Sequence, residues 1–324
     1  MGRLYYRPQT AAQSLYYTVR AAAPATFRLR PDVDDVFAGD YVGSTELFGD
    51  FVPLCYLSAR SRVVHVGFDR TYLDKGLSHP LLEAATVGPD GAVLAFDPDS
   101  RNVDAINAFA ERHGIAQLRA RKAAAWKENA ELEFQFDAAW GPMSGTTAIA
   151  EQQDHANAAA ESVFERIAAR PLDDLVLEHL GSHRIDFLAL TANGAEPEIL
   201  EGAAQVLASN DDLRIGLALA SEHFSFEIRR ELCDQLMGEG WSVVVSNALH
   251  DPWDAGPFLW CCLLREDLAN DDALHGVTWE EALELATHES NVVRARIAQF
   301  TPSQDAKPRR RWSRRLRRVI DRSR

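Results

Sequence analysis

The sequence predicts an α/β protein built on a doubly wound, mostly parallel sheet of seven strands, the last of them antiparallel. Three observations predict it. Short continuous apolar runs recur along the chain, as expected of strands covered on both faces. Segments with helical apolar spacing alternate with these runs, and such alternation winds a parallel sheet through right-handed crossovers. The last two runs are separated by only ten residues, Ala248–Pro257, which contain the turn signals Asp251-Pro252 and Gly256-Pro257. That gap is too short for a crossover helix, so the final strand turns back antiparallel.

The strands are read as Arg62–Gly67, Ala92–Asp97, Gln117–Lys122, Ile185–Thr191, Arg214–Ala220, Trp241–Asn247 and Phe258–Leu264, with Glu131–Phe136 as an additional one. Asp99-Ser100 can cap a helix through Ala105, Ile106, Phe109 and Ala110. Gly114 supplies its left-handed stop. Pro171 introduces a helix over Leu172–Leu180. Pro197 suits the first turn of a helix over Glu198–Ala208. Phe226–Gly238 is a further helix, ended by Gly238 and Gly240.

Residues 137–170 interrupt the alternation with Gly141-Pro142, Ser144-Gly145-Thr146-Thr147 and an Ala-rich acidic segment. They read as a loop or lid over the sheet's crevice. Thr278-Trp279-Glu280-Glu281 is a capping box opening a C-terminal helix to about Phe300. The domain reading is an N-terminal extension at 1–50, mixed and partly helical, whose tyrosine pairs Tyr5-Tyr6 and Tyr16-Tyr17 pack on the main domain. The α/β domain spans 51–265, a C-terminal helix 266–300, and a linker with an Arg-rich tail 301–324.

Of 324 residues, 46% are hydrophobic, enough to bury a sizeable core without staples. The four cysteines, Cys55, Cys233, Cys261 and Cys262, lack metal-ligand spacing and read as small buried hydrophobes, which suits a reducing compartment. His179 and His183 straddle Gly181 and so do not share a helix face, which argues against a metal site. No apolar run reaches the roughly 20 residues of a membrane span. The N-terminus lacks the apolar core of a signal peptide. The expected location is cytoplasmic.

Charge is unevenly spread. Residues 308–324 hold nine arginines and one aspartate, a net +8, so the other 307 residues carry −22. An acidic body repels nucleic acid, which is disfavoured as a partner. In the tail, Trp312, Leu316, Val319 and Ile320 recur at helical spacing among the arginines. A basic amphipathic segment of this kind suits an anionic membrane surface, so residues 309–324 are read as a peripheral membrane contact or as a solvated tail folding back on the acidic body.

Two strand ends carry the chemistry. The first core strand ends His65-Val66-Gly67-Phe68-Asp69-Arg70. A glycine there lets backbone approach a nucleotide closely. The second ends Ala95-Phe96-Asp97-Pro98-Asp99, and an acidic residue there offers two oxygens to both hydroxyls of a ribose. Asp97 follows Gly67 by 30 residues, a distance that suits such a crevice. Asp97 reads either as that ribose acceptor or as a helix-capping residue.

Several stretches, in order, resemble the FkbM-type methyltransferases, an S-adenosylmethionine-dependent family acting mainly on oxygen of sugars and natural products. Thr45–Asp50 looks like the family's lead-in, and Val63–Gly67 like its first strand. Gly91–Pro98 is similar to its Gly-x-Val-x-Ala-Phe-Glu-Pro stretch, and Ala123–Phe136 to the segment that follows. Arg170–Leu175 resembles its Leu-Asp-Asp-Leu helix start. Ile185–Gly202 resembles its Ile-Asp-Phe-x-Lys-x-Asp-x-Glu-Gly-x-Glu-x-x-x-Leu-x-Gly signature. The resemblance covers roughly residues 44–222. It implies a Rossmann-like domain, S-adenosylmethionine as cofactor, Gly67, Asp69 and Asp97 as cofactor-contacting residues, and a small-molecule or glycan acceptor.

The chain departs from that pattern where chemistry is done. The acidic residue of the first strand is His65, and the Gly-Ala-Asn-x-Gly loop is Gly67-Phe68-Asp69-Arg70-Thr71. In the signature, Ala189, Thr191 and Asn193 stand for lysine, aspartate and glutamate. Gly194 and Glu196 remain. Methyl transfer from a sulfonium is an in-line displacement that positioning can largely catalyse. A base is needed only if the acceptor hydroxyl must lose its proton. Glu196 and His223 are the candidate bases, with Asn193 orienting the acceptor. His65 reads either as a further base or as a core histidine with both nitrogens satisfied. Two functional readings follow: O-methylation of a sugar, glycolipid or natural-product hydroxyl, or a methyltransferase-like fold without catalysis, serving as a binding or scaffold protein.

Overall fold

The computed structural model describes residues 2–8, 56–68, 70, 73, 78–137, 141–144, 163–192, 194–219, 226–248, 258–266, 268 and 271–300. In chain order the strands are β1 (Leu4–Tyr6), β2 (Arg62–Val66), β3 (Ala92–Asp97), β4 (Leu118–Lys122), β5 (Ala124–Trp126), β6 (Ala130–Asp137), β7 (Gly141–Ser144), β8 (Val163–Pro171), β9 (Phe187–Leu190), β10 (Arg214–Leu219), β11 (Ser242–Ala248), β12 (Phe258–Leu264) and β13 (His275–Gly276). The helices are α1 (His79–Val87), α2 (Ser100–His113), α3 (Leu172–Leu180), α4 (Glu196–Glu201), α5 (Ala204–Ser209), α6 (Phe226–Gly238) and α7 (Trp279–Phe300).

The main sheet runs β13-β1-β11-β12-β10-β9-β2-β3-β4. β4, β3, β2, β9 and β10 pair in parallel, while β12 is antiparallel to both β10 and β11. The seven expected strands are therefore all present in one α/β sheet with the antiparallel strand where the short gap placed it. Strand order reverses between β2 and β9, which opens a crevice at their carboxyl ends.

Both faces of the sheet are covered, which explains the continuous apolar runs. Val64, Val66, Leu94, Phe96, Leu188 and Leu190 belong to one buried cluster. Their neighbours Val63, Val93, Ala95, Phe187 and Ala189 belong to the other. The alternation follows from the two-residue side-chain period of a strand.

The helix caps follow the sequence. The Asp99 side chain accepts the Arg101 amide, and Gly114 ends α2 in the left-handed conformation at φ 67°. Glu281 Oε2 accepts from the Thr278 amide at 2.7 Å while Thr278 Oγ1 accepts from the Glu281 amide at 3.2 Å, a reciprocal box at the start of α7.

Four features differ from the sequence reading. The N-terminal residues 4–6, read as mixed and partly helical, form β1, paired in parallel with β11; three residues are too few to show a period. Tyr5 and Tyr6 are buried, and the Tyr6 hydroxyl donates to Glu289 Oε2 at 2.8 Å, tying β1 to α7; Tyr16-Tyr17 lies outside the described residues. The additional strand at 131–136 belongs to a second sheet, β5-β8-β6-β7, and not to the main one. That sheet also takes up part of the segment read as a lid, since 141–144 and 163–171 are strands; 138–140 and 145–162 lie outside the described residues. Finally, the helix read as Glu198–Ala208 is two helices, α4 and α5. Gly202 between them approaches the Trp126 carbonyl so closely that a Cβ would stand 2.0 Å from its oxygen. Its own carbonyl accepts the Asp173 amide. This close passage under β5 breaks the helix.

No helix among the described residues is long and apolar enough to cross a membrane. The Arg-rich tail lies outside the described residues.

Candidate cofactor crevice

Three loops meet at the carboxyl ends of β2, β3 and β9. The first, Gly67-Phe68, has every backbone polar group taken up inside the protein. The Gly67 amide donates to Phe96 O at 2.9 Å. Gly67 O accepts from His65 Nε2 at 2.8 Å and from the Thr191 hydroxyl. The Phe68 amide donates to Asp97 Oδ2 at 2.9 Å, and Phe68 O accepts from Asn102 Nδ2 at 2.8 Å. Gly67 is at φ +81°, and a Cβ there would meet Thr191 O at 2.5 Å. The glycine is thus required by the neighbouring loop of its own chain.

His65 is fully buried on β2. A carbonyl oxygen only accepts, so the Nε2 facing Gly67 O carries a proton. Nδ1 lies 2.8 Å from Glu83 Oε1, so one further proton sits between imidazole and carboxylate. Of the two readings of His65, the satisfied core histidine describes this geometry: no ring nitrogen faces the crevice with a free lone pair. Glu83 was missed in the sequence, although an acid within the apolar run Leu81-Leu82-Glu83-Ala84-Ala85 is a legible signal. Its second oxygen, Oε2, is buried without a hydrogen-bond partner among the described residues.

Asp97 ends β3 with no exposed surface. Besides Phe68, the Asp99 amide donates to its Oδ1 at 2.8 Å and Asn102 Nδ2 does so at 3.2 Å. Burial pushes its carboxyl from the ordinary 3.8 up to about 7, against the downward pull of these N–H groups. Asn102, unremarkable in the sequence, therefore bridges both loops, and Arg70 Nη1 donates to its Oδ1 at 3.1 Å on the outer side. Phe68 is itself buried in the core between β2 and α1.

Glu196 is also fully buried. Its Oε1 accepts from the Ala192 amide at 3.0 Å and from Arg229 Nη2 at 2.8 Å, and its Oε2 from the Gly194 amide at 2.9 Å. It fastens the turn after β9 to α6. Asp69, Asn193 and His223 lie outside the described residues. The crevice thus brings Gly67, Asp97, His65 and Thr191 together, while Glu196 faces Arg229.

The sequence profile of the Methyltransferase FkbM domain matches residues 74–238, just over half of the chain. The chain belongs to the FkbM methyltransferase family. The match begins beyond Gly67-Phe68, so the loop after β2 is not part of it. Among solved structures, the FkbM methyltransferase of Methylobacillus flagellatus KT is 12% identical with a TM-score of 0.42, over 76% of this chain and 58% of that one. A S-adenosylmethionine-dependent O-methyltransferase of Thermotoga maritima is 9% identical with a TM-score of 0.41, over 75% and 72%. The Bacillus cereus O-methyltransferase, in complex with S-adenosylhomocysteine, is 12% identical with a TM-score of 0.40, over 79% and 99%. No curated protein matches the sequence.

The family's cofactor carries a ribose diol, which needs an accessible acceptor pair. In this FkbM-family chain the acceptor at the end of β3 is buried, with three donors already on its two oxygens. A carboxylate offers about four acceptor positions, so a diol cannot be added without displacing protein donors. In this arrangement the residues do not fit S-adenosylmethionine.

Proposed function

We propose that the chain is a non-catalytic member of the FkbM methyltransferase family, which keeps the fold as a binding or scaffold protein. The observation that carries this reading is the Asp97 carboxylate, occupied by Phe68, Asp99 and Asn102 where a ribose would have to bind. Ala189, Thr191 and Asn193, in place of the signature's lysine, aspartate and glutamate, point the same way, since the loss of three ionisable groups at these positions reduces the acid–base chemistry the crevice can offer. Calorimetric titration of the folded full-length protein with S-adenosylhomocysteine tests it. The expected result is no saturable heat; micromolar binding that disappears in Asp97→Ala overturns the reading.

A second reading is favoured by membership of the family and by the retention of Asp97 and Glu196 at the strand ends. On that reading the chain methylates a hydroxyl of a sugar, glycolipid or natural product, and cofactor entry displaces Asn102 and the Phe68 amide from Asp97. Micromolar binding in the titration would support it and direct the work to small-molecule and glycan acceptors.

A further inference from the structure

A groove of about 310 Å³ runs along the edge of the main sheet, between the start of β3, strand β4 and the end of α3. Its walls are the start of β3 through Leu94, Arg119 and Arg121 of β4, and His179-Leu180 at the end of α3. Arg119 lies beside Leu94 in the parallel register and Arg121 beside Phe96, so both guanidinium stems leave the same face of the edge strand. His179 is tilted against the Phe96 ring, with centroids 5.6 Å apart.

The charge of this groove runs against the rest of the chain. Acidic residues outnumber basic ones, 48 to 34, yet among the described residues no carboxylate lines the groove. Exposed cations nearby are neutralised: Lys122 by Glu165 at 3.3 Å and Arg170 by Glu178 at 2.6 Å. Glu178 also approaches His179 Nε2 at 3.9 Å, outside the lining. Arg119 makes no hydrogen bond or ion pair with any described residue, and Arg121 donates only to the Ala120 carbonyl at 3.2 Å. Nor are these arginines needed to guard the edge strand. Asn107 of α2 does so by bonding both the amide and the carbonyl of Ala120, at 3.0 and 3.1 Å.

Two guanidinium groups on alternate residues, neither paired with a carboxylate among the described residues, present planar donor forks that match a phosphate. The geometry points to an anion site for a phosphate ester in this groove, held by Arg119 and Arg121 with His179 at its side. The site is independent of the cofactor crevice and of either reading of it.

The test is titration of the full chain with inorganic phosphate and with glucose 6-phosphate, followed by calorimetry. The comparison is with the double variant Arg119→Ser/Arg121→Ser and the neighbouring control Lys122→Ser. Both arginines are exposed, so the double variant should melt like the parent. Saturable binding of either probe is expected, kept in the control and weakened about 10- to 100-fold in the double variant, the loss typical of one or two charged hydrogen bonds. Sedimentation with phosphatidylserine vesicles separates the sources of phosphate: pelleting that needs both arginines, without binding of the soluble probes, assigns the same groove to a lipid headgroup. No binding of any probe, or equal binding by the double variant, overturns the proposal.

Discussion

The Phe68 amide donates to Asp97 Oδ2 across 2.9 Å, joining the loop after the first core strand to the end of the second. Asn102 doubles the link by donating to both Phe68 O and Asp97 Oδ1. The two loops that would flank a nucleotide are thereby made into one hydrogen-bonded unit.

That unit should make stability depend on pH. The Asp97 carboxyl moves from 3.8 to about 7 on folding, so between these values the folded state holds a proton that the unfolded state has released. Stability from this group is fully present below pH 3.8 and lost as pH rises through 7. At about 1.4 kcal/mol per pH unit, the loss amounts to about 4 kcal/mol. Urea denaturation at pH 5, 6, 7 and 8 should show a shallower decline in Asp97→Asn than in the parent chain. Parallel profiles would mean that Asp97 is ionised throughout.

Asn102→Ala removes the bridge while leaving both loops in place. It strips Phe68 O of its donor and should cost about 1–3 kcal/mol, as for a buried polar group left unpaired. The same variant returns one acceptor position to Asp97, so a gain of S-adenosylhomocysteine binding would identify Asn102 as the residue that closes the crevice.

Arg229 and Glu196 form an ion pair at 2.8 Å with side chains 4% and 0% exposed. Arg229→Met leaves the carboxylate buried with only two backbone donors and should destabilise by about 3–5 kcal/mol. Adding Glu196→Gln to it should restore part of that loss, because the stranded charge is gone. A double-mutant cycle by chemical denaturation measures the difference; additive losses would show that the pair is not coupled.

Gly202 and Gly181 separate two reasons for a glycine. Gly181 stands at φ +68° with open space around its Cβ position, so Gly181→Ala should cost about 1–2 kcal/mol in backbone strain alone. Gly202 has ordinary dihedrals, but its Cβ would collide with Trp126 O at 2.0 Å. Gly202→Ala should cost about 3 kcal/mol, at the upper end for overpacking, because backbone has to move. Thermal melting of the two variants should rank them in that order.

The family and the sheet were legible because they rest on local signals. Apolar runs such as Val63-Val64 and Leu188–Leu190, the Asp99 and Thr278 caps, and the ten-residue gap before Phe258 each act over a few residues. β1 was not legible, because Leu4–Tyr6 becomes a strand only by pairing with Val243–Val245, more than two hundred residues away. The break at Gly202 was hidden for the same reason: its cause is the Trp126 carbonyl, in another strand.

At the candidate site, the sequence alone determined which residue types stand at the strand ends: Gly67, Asp97, Thr191 and Glu196, with the signature's lysine and aspartate gone. Only the tertiary structure decided what their polar atoms do. A carboxylate in sequence can serve a ligand, a helix cap or a buried amide equally well. Desolvation obliges a buried one to take whatever donors the surrounding loops supply. Folding brings Phe68, Asn102 and Asp99 to Asp97, and Arg229 to Glu196, and so commits both acids to holding the chain itself.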